Sequence, residues 1–311
     1  MSSERTKKLM HESASGMTGS KSRVEAIRER NRRKKKIRRW IIAILIVGLL
    51  TGAVFFFRSP HFLIKDTVIV GAHVLDANEL TNVVDTQLRG YYAWVIPKRS
   101  VFFFPRQKIE DALRKEFKRI DSFSMTQLSR TLTITVTERK SVYLWCGEEV
   151  RLNPEPCYFI DDTGYLFSKA PYFSGSIYFK FFGALETQGP DGVLGGRVLP
   201  ENYFPSVIQM KEGLDGMNVK AYAFARGKDK EASFILSNEY RSDRQTVLVK
   251  EGDDTSILVR NLRAAINVEG LAKELKEKFD TLLYLDLRYP EKVYYKFAGE
   301  DDANTVEPTT Q

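Results

Sequence analysis

The sequence predicts an α+β protein with a single N-terminal transmembrane helix and two domains beyond it. An uncharged apolar stretch lies directly after a dense basic block. Beyond it, helix-like spacing of apolar residues changes to strict alternation, which indicates helices followed by strands. Short β-like runs then recur with a few helical segments between them. This pattern is typical of a mixed, mainly antiparallel β domain with flanking helices.

Positive charge is concentrated at the N-terminus. Residues 1–39 contain 14 Lys or Arg and 4 Asp or Glu, a net charge of +10 in a chain of net charge +8, which leaves −2 for the remainder. The basic pI therefore belongs to this tail, and a membrane surface explains the tail better than nucleic acid does. We expect residues 1–39 to be a largely disordered cytoplasmic tail.

Residues 40–57 carry no charge and follow seven basic residues within 32–39. At about 1.5 Å per residue, they nearly match a hydrocarbon core of about 30 Å. A buried helix of a soluble protein is rarely apolar on all sides. A cleavable signal peptide is the nearer alternative, but the stretch ends in Phe55, Phe56 and Phe57 without a small-residue cleavage site. We expect an uncleaved anchor in the cell membrane, with residues beyond 58 outside the cytoplasm.

The first outer domain, residues 61–139, is expected to contain a strand, two helices and two further strands. Gly71 ends the first strand, and Asp76 and Glu79 have the spacing of a helix capping box. Pro105 suits the start of the second helix. Two helices on one face of a three-stranded sheet would bury the apolar stripes. The expected core positions are Ile64, Val68, Val70, Leu80, Val83, Val84, Leu88, Ile109, Ala112, Leu113, Phe117, Leu132, Ile134 and Val136.

The second outer domain, residues 140–299, has the pattern of a sheet that is extended strand by strand and ends on a free edge. Helices are expected at 204–214 and 268–279, a loop at 183–200, and a flexible polar tail at 300–311. The expected strands begin near 142 and continue at 157–160, 165–167, 177–182, 219–225, 233–236, 246–250, 256–259, 282–287 and 293–297.

The order of several short motifs resembles the FtsQ/DivIB family of bacterial cell-division proteins. A strand ending in "VIVG", the "FFFP" helix entry and a strand running into "TERK" look like a POTRA domain. "SVYLWC", "CYFIDDTGYLF" and "LLYLDLRYPEKVYYKF" look like the β domain of that family. The resemblance covers roughly residues 30–298. The aromatic loop from Tyr91 to Trp94 and the pair of cysteines are departures from the family pattern.

This resemblance implies a non-enzymatic membrane scaffold at the division septum. Such proteins bind other single-span division proteins, here FtsB- and FtsL-like partners, by pairing an edge strand, and so control septal peptidoglycan synthesis. The positions that match the family's partner-binding strands are Leu285, Arg288, Tyr289, Val293, Tyr294, Tyr295 and Lys296. Aromatic residues at these positions are alternatively ordinary sheet packing.

The residues themselves offer little for catalysis. Cys146 and Cys157 are 11 positions apart on the expected strands of one hairpin, so outside the cytoplasm they are candidates for a disulfide, with two packed free thiols as the alternative. Asp161 and Asp162 lie in a turn. We expect no catalytic residue, metal, cofactor or nucleic-acid partner. Two other functions stay open: a POTRA-type protein that assists secreted or outer-membrane polypeptides, and a membrane-tethered cell-wall hydrolase.

Overall fold

The computed structural model describes residues 3–307 except 153, 155, 174, 191, 241, 242, 244, 290 and 291, with side chains from residue 30 onward apart from 269. It confirms the predicted α+β class. The last four residues of the expected tail lie outside the described residues.

The helices are α1 (Ser3–Arg58), α2 (Ala77–Leu88), α3 (Arg106–Glu116), α4 (Phe204–Asp215), α5 (Thr255–Ile266) and α6 (Glu269–Lys278). The strands are β1 (Asp66–Val70), β2 (Tyr91–Tyr92), β3 (Ile96–Pro97), β4 (Ile120–Leu128), β5 (Thr131–Glu138), β6 (Tyr143–Trp145), β7 (Tyr158–Ile160), β8 (Leu166–Lys169), β9 (Lys180–Phe182), β10 (Thr187–Gly189), β11 (Gly192–Arg197), β12 (Ala223–Arg226), β13 (Glu231–Ile235), β14 (Thr246–Lys250), β15 (Leu282–Asp286), β16 (Val293–Phe297) and β17 (Asn304–Val306).

Helix α1 contains the predicted apolar stretch. Its part from Arg30 to Arg58 is long and apolar enough, by length and composition, to cross a membrane, and its most apolar window has a mean hydropathy of 2.6. Most large apolar side chains of this part are exposed, Leu49 and Phe55 among them. A helix that is apolar on all sides and not covered by protein is the form that lipid favours.

The start of α1 differs from the expectation of a largely disordered tail. The helix begins at Ser3 and continues without interruption to Arg58. The sequence has no proline before Pro60, and Lys, Arg and Glu make up almost half of residues 1–39. These residues are good helix formers, so the segment can be helical without an apolar stripe.

The chain divides into two compact units. The first comprises the chain up to Val68 together with Val84–Arg106 and Thr126–Thr133. In it, β2 and β3 form a short antiparallel hairpin in which Tyr92 is paired with Ile96. The hairpin follows α2 at the place where the sequence shows its aromatic loop.

The second unit comprises Ile69–Val83, Gln107–Met125 and the chain from Ile134. Its centre is a ten-stranded sheet of described residues in the order β17-β16-β15-β14-β13-β12-β9-β6-β7-β8. The pairs β6/β9, β9/β12 and β14/β15 are parallel. The other neighbouring strands of this sheet are antiparallel. A separate sheet has the order β1-β5-β4.

The two faces of the ten-stranded sheet are covered differently. One face packs against α4, α5 and α6, and its buried cluster includes Phe181, Phe224 and Leu262. The opposite face carries a smaller cluster, with Leu144 and Tyr240, that has no helical residue among those described. Among the described residues, loops between the strands complete this cluster, and a cavity lies there.

Three local expectations are wrong. Val68 and Val70 of β1, which were expected in the core, are 42% and 47% exposed. Residues 256–259 were expected to be a strand because of their β-branched side chains, but they lie in α5. The carboxylate of Asp254 caps this helix by accepting hydrogen bonds from the backbone N–H groups of Ser256 and Ile257. Buried Leu258, Leu262 and Ala265 then share one helical face. The loop expected at 183–200 contains the hairpin β10–β11.

Candidate partner-binding edge

The C-terminal end of the ten-stranded sheet differs from the predicted free edge. Strand β16 pairs with β15 on one side, where Tyr295 faces Leu285. On its other side it pairs antiparallel with β17, where Tyr294 faces Thr305. Part of the tail expected to be flexible is therefore a strand. A turn at Gly299, whose φ is +92°, brings the chain back, and Thr305 and Val306 are β-branched residues that favour strands.

The side chains of β16 alternate between buried and half-buried positions. Val293, Tyr295 and Phe297 are buried, whereas Tyr294 and Lys296 are half-buried. Leu285 on β15 is also buried. The side chains of Leu285, Val293 and Tyr295 therefore belong to the core. The main chain of Leu285 is paired on both sides, with β14 and with β16. Only Val293 and Tyr295 lie on the strand that a partner could reach, and there β17 is already paired with them.

The predicted sites with accessible side chains are Tyr289, Tyr294 and Lys296. Tyr289 follows β15 and is 53% exposed. Its ring meets that of Tyr294 edge to face, with the ring centroids 5.1 Å apart. The two rings form an aromatic patch at this end of the sheet, of the kind that is enriched in protein interfaces.

Arg288 is also among the predicted contacts, and its guanidinium bonds within the chain. Its Nε and Nη2 donate to the two carboxylate oxygens of Asp286 at 2.9 and 2.7 Å, and its Nη1 pairs with Glu231. The hydrogen bonds that Arg288 donates to Asp286, against the opposing effect of burial, raise the pKa of Arg288. Asp286 is itself buried. This bidentate pair fixes the chain that leads to Tyr289, so Arg288 positions the aromatic patch.

Strand β17 is held by short-range contacts near the surface. The carboxylate of Glu300 accepts from the backbone N–H of Phe297 at 3.2 Å and from the side-chain amide of Asn304 at 3.0 Å. Lys292 and Glu307 form an ion pair at 3.1 Å with both side chains well exposed. Exposed pairs of this kind contribute about 0–1 kcal/mol each. The strand is thus short and weakly fastened.

The two cysteines lie at the far side of the same sheet. Cys146 follows β6 and Cys157 precedes β7, and their sulfur atoms are bonded at 2.06 Å with the Cα atoms 4.2 Å apart. Cys146 is buried. The disulfide closes the loop between two neighbouring antiparallel strands. It restrains the loop of residues 147–156, part of which lies on the face of the sheet that has no helical cover.

The described residues contain no group of three or more His, Cys, Asp or Glu side chains placed to hold a metal ion. No model of a protein family matches this chain. No characterised protein is found to be similar to it in sequence.

Proposed function

We propose that this protein is a non-enzymatic, single-pass membrane scaffold of the FtsQ/DivIB type. It would bind FtsB- and FtsL-like single-span division proteins by strand pairing and thereby control septal peptidoglycan synthesis. The observation that carries the proposal is the C-terminal end of the ten-stranded sheet, where a three-residue strand, β17, borders the aromatic patch. Backbone pairing at such an edge gives affinity, and alternate side chains give specificity.

The proposed domain order follows the sequence. Residues 40–57 span the cell membrane, with the basic tail in the cytoplasm and the remainder outside. Residues 61–139 are a POTRA domain and residues 140–299 an FtsQ-type β domain. A single span holds both domains close to the membrane and raises their effective concentration for other single-span proteins. The protein would concentrate at the division septum.

The partner strand would take the place of β17 on β16. Strand β17 provides three residue pairs, its side chains are mostly exposed, and the contacts that hold it lie near the surface. A partner with a longer strand would pair with β16 over its whole length and pack on Tyr289 and Tyr294. The gain in paired backbone would offset the loss of the weak contacts of β17.

Copurification of an FtsB-like single-span protein from the same organism tests this proposal. We expect Tyr289→Ala and Lys296→Glu to reduce copurification at least tenfold while thermal unfolding stays unchanged. The matched controls are Leu128→Ala and Lys228→Glu, which alter an exposed apolar and an exposed basic residue elsewhere. Equal copurification by all four variants would contradict the edge as the binding site.

Displacement of β17 has its own test. Thr305→Pro removes a backbone donor from β17 and is expected to keep or increase partner binding, with Thr305→Ala as the control. A loss of binding in the proline variant alone would mean that the partner adds to β17 itself. A fluorescent fusion that gives a midcell band would support the septal role, and an even halo would favour the secretion-related alternative.

A further inference from the structure

A cavity of about 570 Å³ lies on the face of the ten-stranded sheet that has no helical cover. Its size is within the range of small-molecule sites. Lys180 of β9, Tyr240 and the disulfide residue Cys157 are among the residues that line it. The apolar part of its wall is formed by Leu144, Leu152, Pro154, Pro156, Pro171, Tyr172 and Phe173.

Lys180 is in an unusual place for a charged side chain. It is only 5% exposed, and the residues paired with it across the sheet are Leu144 on one side and Ala223 on the other, both buried. Its ammonium lies 4.0 Å from the centroid of the Tyr240 ring. No carboxylate or hydrogen-bond acceptor contacts it among the residues that the structure describes. Burial accordingly lowers the pKa of Lys180, and an unpaired buried charge destabilises a fold.

Tyr240 has two further peculiarities. Its hydroxyl is buried, and no residue that the structure describes forms a hydrogen bond with it. Its φ is +53°, a left-handed conformation that is disfavoured for a residue with a Cβ atom. Buried polar groups without partners are rare, and backbone strain of this kind clusters at functional sites. Lys180 and Tyr240 are therefore two unsatisfied donors side by side in one cavity.

We propose that this cavity binds a carboxylate carried on an apolar or aromatic group. The ammonium of Lys180 would form the ion pair that it lacks, and the hydroxyl of Tyr240 would donate a hydrogen bond to the same carboxylate. The proline and aromatic walls would hold the apolar group. The carboxylate belongs either to a small organic acid or to the C-terminus of a peptide.

Binding to the full chain in nanodiscs tests the site, with N-acetylphenylalanine and acetyl-Ala-Ala-Phe as probes and their C-terminal amides as neutral controls. We expect each amide to bind at least tenfold more weakly than its acid. A similar affinity for both acids would identify a small acid as sufficient, and binding of the tripeptide alone would identify a chain end. Equal binding of acids and amides, or no binding of either acid, would overturn the proposal.

Two variants separate binding from stability. Lys180→Met and Tyr240→Phe remove the two unsatisfied polar groups with little change in shape. We expect both variants to unfold at the same or a higher temperature than the parent while the affinity for the acid falls at least tenfold for Lys180→Met and severalfold for Tyr240→Phe. A lower unfolding temperature with unchanged affinity would show that both groups are structural and would overturn the site.

A second, independent inference concerns the first unit. The β2–β3 hairpin turns at Ala93 and Trp94, whose φ values are +46° and +65°, and Val95 donates its N–H to the carbonyl of Tyr92 at 3.0 Å. This turn type favours Asn-Gly, so an Ala-Trp pair is strained there. This strained turn places the side chain of Trp94 in the open, where the residue is 92% exposed.

The hairpin lies beside the C-terminal end of α1. The guanidinium of Arg58 lies 5.2 Å from the centroid of the Tyr91 ring, and the Phe57 ring lies 5.4 Å from that of Phe103. The exposed aromatic residues of this region, which we call the aromatic collar, are Phe55, Phe56, Tyr91, Trp94, Phe102 and Phe103. We infer that the aromatic collar inserts into the lipid headgroup region around the end of the span, where aromatic side chains are favoured. This inference depends on the proposed membrane span.

Tryptophan quenching in vesicles of brominated phosphatidylcholine tests the collar. The contributions of Trp94 and Trp40 are obtained by subtracting the Trp94→Phe and Trp40→Phe variants from the parent. We expect bromine near the headgroup to quench both contributions, and iodide in the buffer to leave that of Trp94 largely unquenched. Lipid quenching of Trp40 alone would overturn the collar and leave the span intact. If lipid quenches neither Trp40 nor Trp94, the result would contradict the proposed membrane span and, with it, the aromatic collar.

Discussion

Arg139 Nη1 lies 2.5 Å from Asp161 Oδ2, and the carboxylate of Asp161 is almost completely buried. Arg139 follows β5, whereas Asp161 begins the turn between β7 and β8. The other oxygen of Asp161 accepts hydrogen bonds from the backbone N–H groups of Thr163 and Tyr165 at 2.8 and 3.0 Å. One carboxylate thus shapes the turn and ties it to the end of β5.

Removing this carboxylate is expected to destabilise the protein strongly. Asp161→Ala would leave two turn N–H groups without acceptors and would leave Arg139 with the more exposed Asp121, at 3.1 Å, as its ion-pair partner. We expect a loss of about 2–4 kcal/mol in the free energy of unfolding. Denaturant unfolding measures this loss. The control is Asp162→Ala, because Asp162 is the exposed neighbour in the same turn. Equal effects of the two variants would contradict a special role of Asp161.

Glu138, next to Arg139, holds a second turn. Its Oε1 accepts hydrogen bonds from the backbone N–H groups of His73, Val74 and Leu75 at 2.7, 2.9 and 3.1 Å. Burial acts to raise the pKa of Glu138, but these three donors, together with the charge of Arg119, lower it below the usual 4.5. The ionised carboxylate is therefore favoured in the folded state.

The lowered pKa of Glu138 predicts an acid-dependent contribution to stability. This contribution is fully present above the unfolded pKa of 4.5 and is lost as the pH falls through the lower folded pKa. We expect Glu138→Gln to reduce the free energy of unfolding by about 1–3 kcal/mol at pH 7 and by less at pH 3. Urea unfolding across pH 3–7 measures the difference. A constant difference, or the same profile for the exposed control Glu149→Gln, would refute the prediction.

Gly71 is a position where a side chain does not fit. Its φ is +85°, and an added Cβ would lie 2.3 Å from the carbonyl oxygen of Val136. We expect Gly71→Ala to destabilise the protein by about 2–4 kcal/mol, because it combines a disfavoured φ with a clash against backbone. The control is Gly270→Ala within α6, where the Cβ meets nothing within 4 Å. That change should stabilise by about 0.5–1 kcal/mol, and thermal unfolding that ranks the two the other way would contradict the argument.

The spacing of apolar residues correctly predicted the elements whose buried face is formed by their own regularly spaced side chains. Leu80, Val84 and Leu88 on α2 and Leu132 and Ile134 on β5 are buried as their spacing indicates. Residues 256–259 misled the prediction because a β-branched run is a local preference, whereas the Asp254 cap and the apolar stripe of α5 act over a longer segment. Strand β17 was missed because three mostly polar residues become a strand only when β16 offers a partner.

The sequence reveals more residues of the candidate partner-binding edge than of the cavity. Tyr289 and Lys296 were identified through a resemblance, but the bidentate hold of Asp286 on Arg288 and the role of Glu231 need the folded sheet. Lys180 had one local signal, since it interrupts the apolar run from Ile177 to Phe182. Its neighbour Tyr240 is 60 residues away in the chain, so only the strand order brings the two together.

Cys146 and Cys157 provide the last prediction. Their bond closes a loop between β6 and β7, and the chain-entropy model gives such a short loop about 2–3 kcal/mol of stabilisation. We expect a reducing agent to lower the denaturation midpoint of the parent accordingly, while the Cys146→Ala/Cys157→Ala variant does not respond to it. Because Cys157 also borders the cavity, reduction should weaken binding of N-acetylphenylalanine. A parent whose midpoint is the same with and without reductant would contradict the stabilising role of the disulfide, because constraint of the unfolded chain is lost whenever the bond is broken.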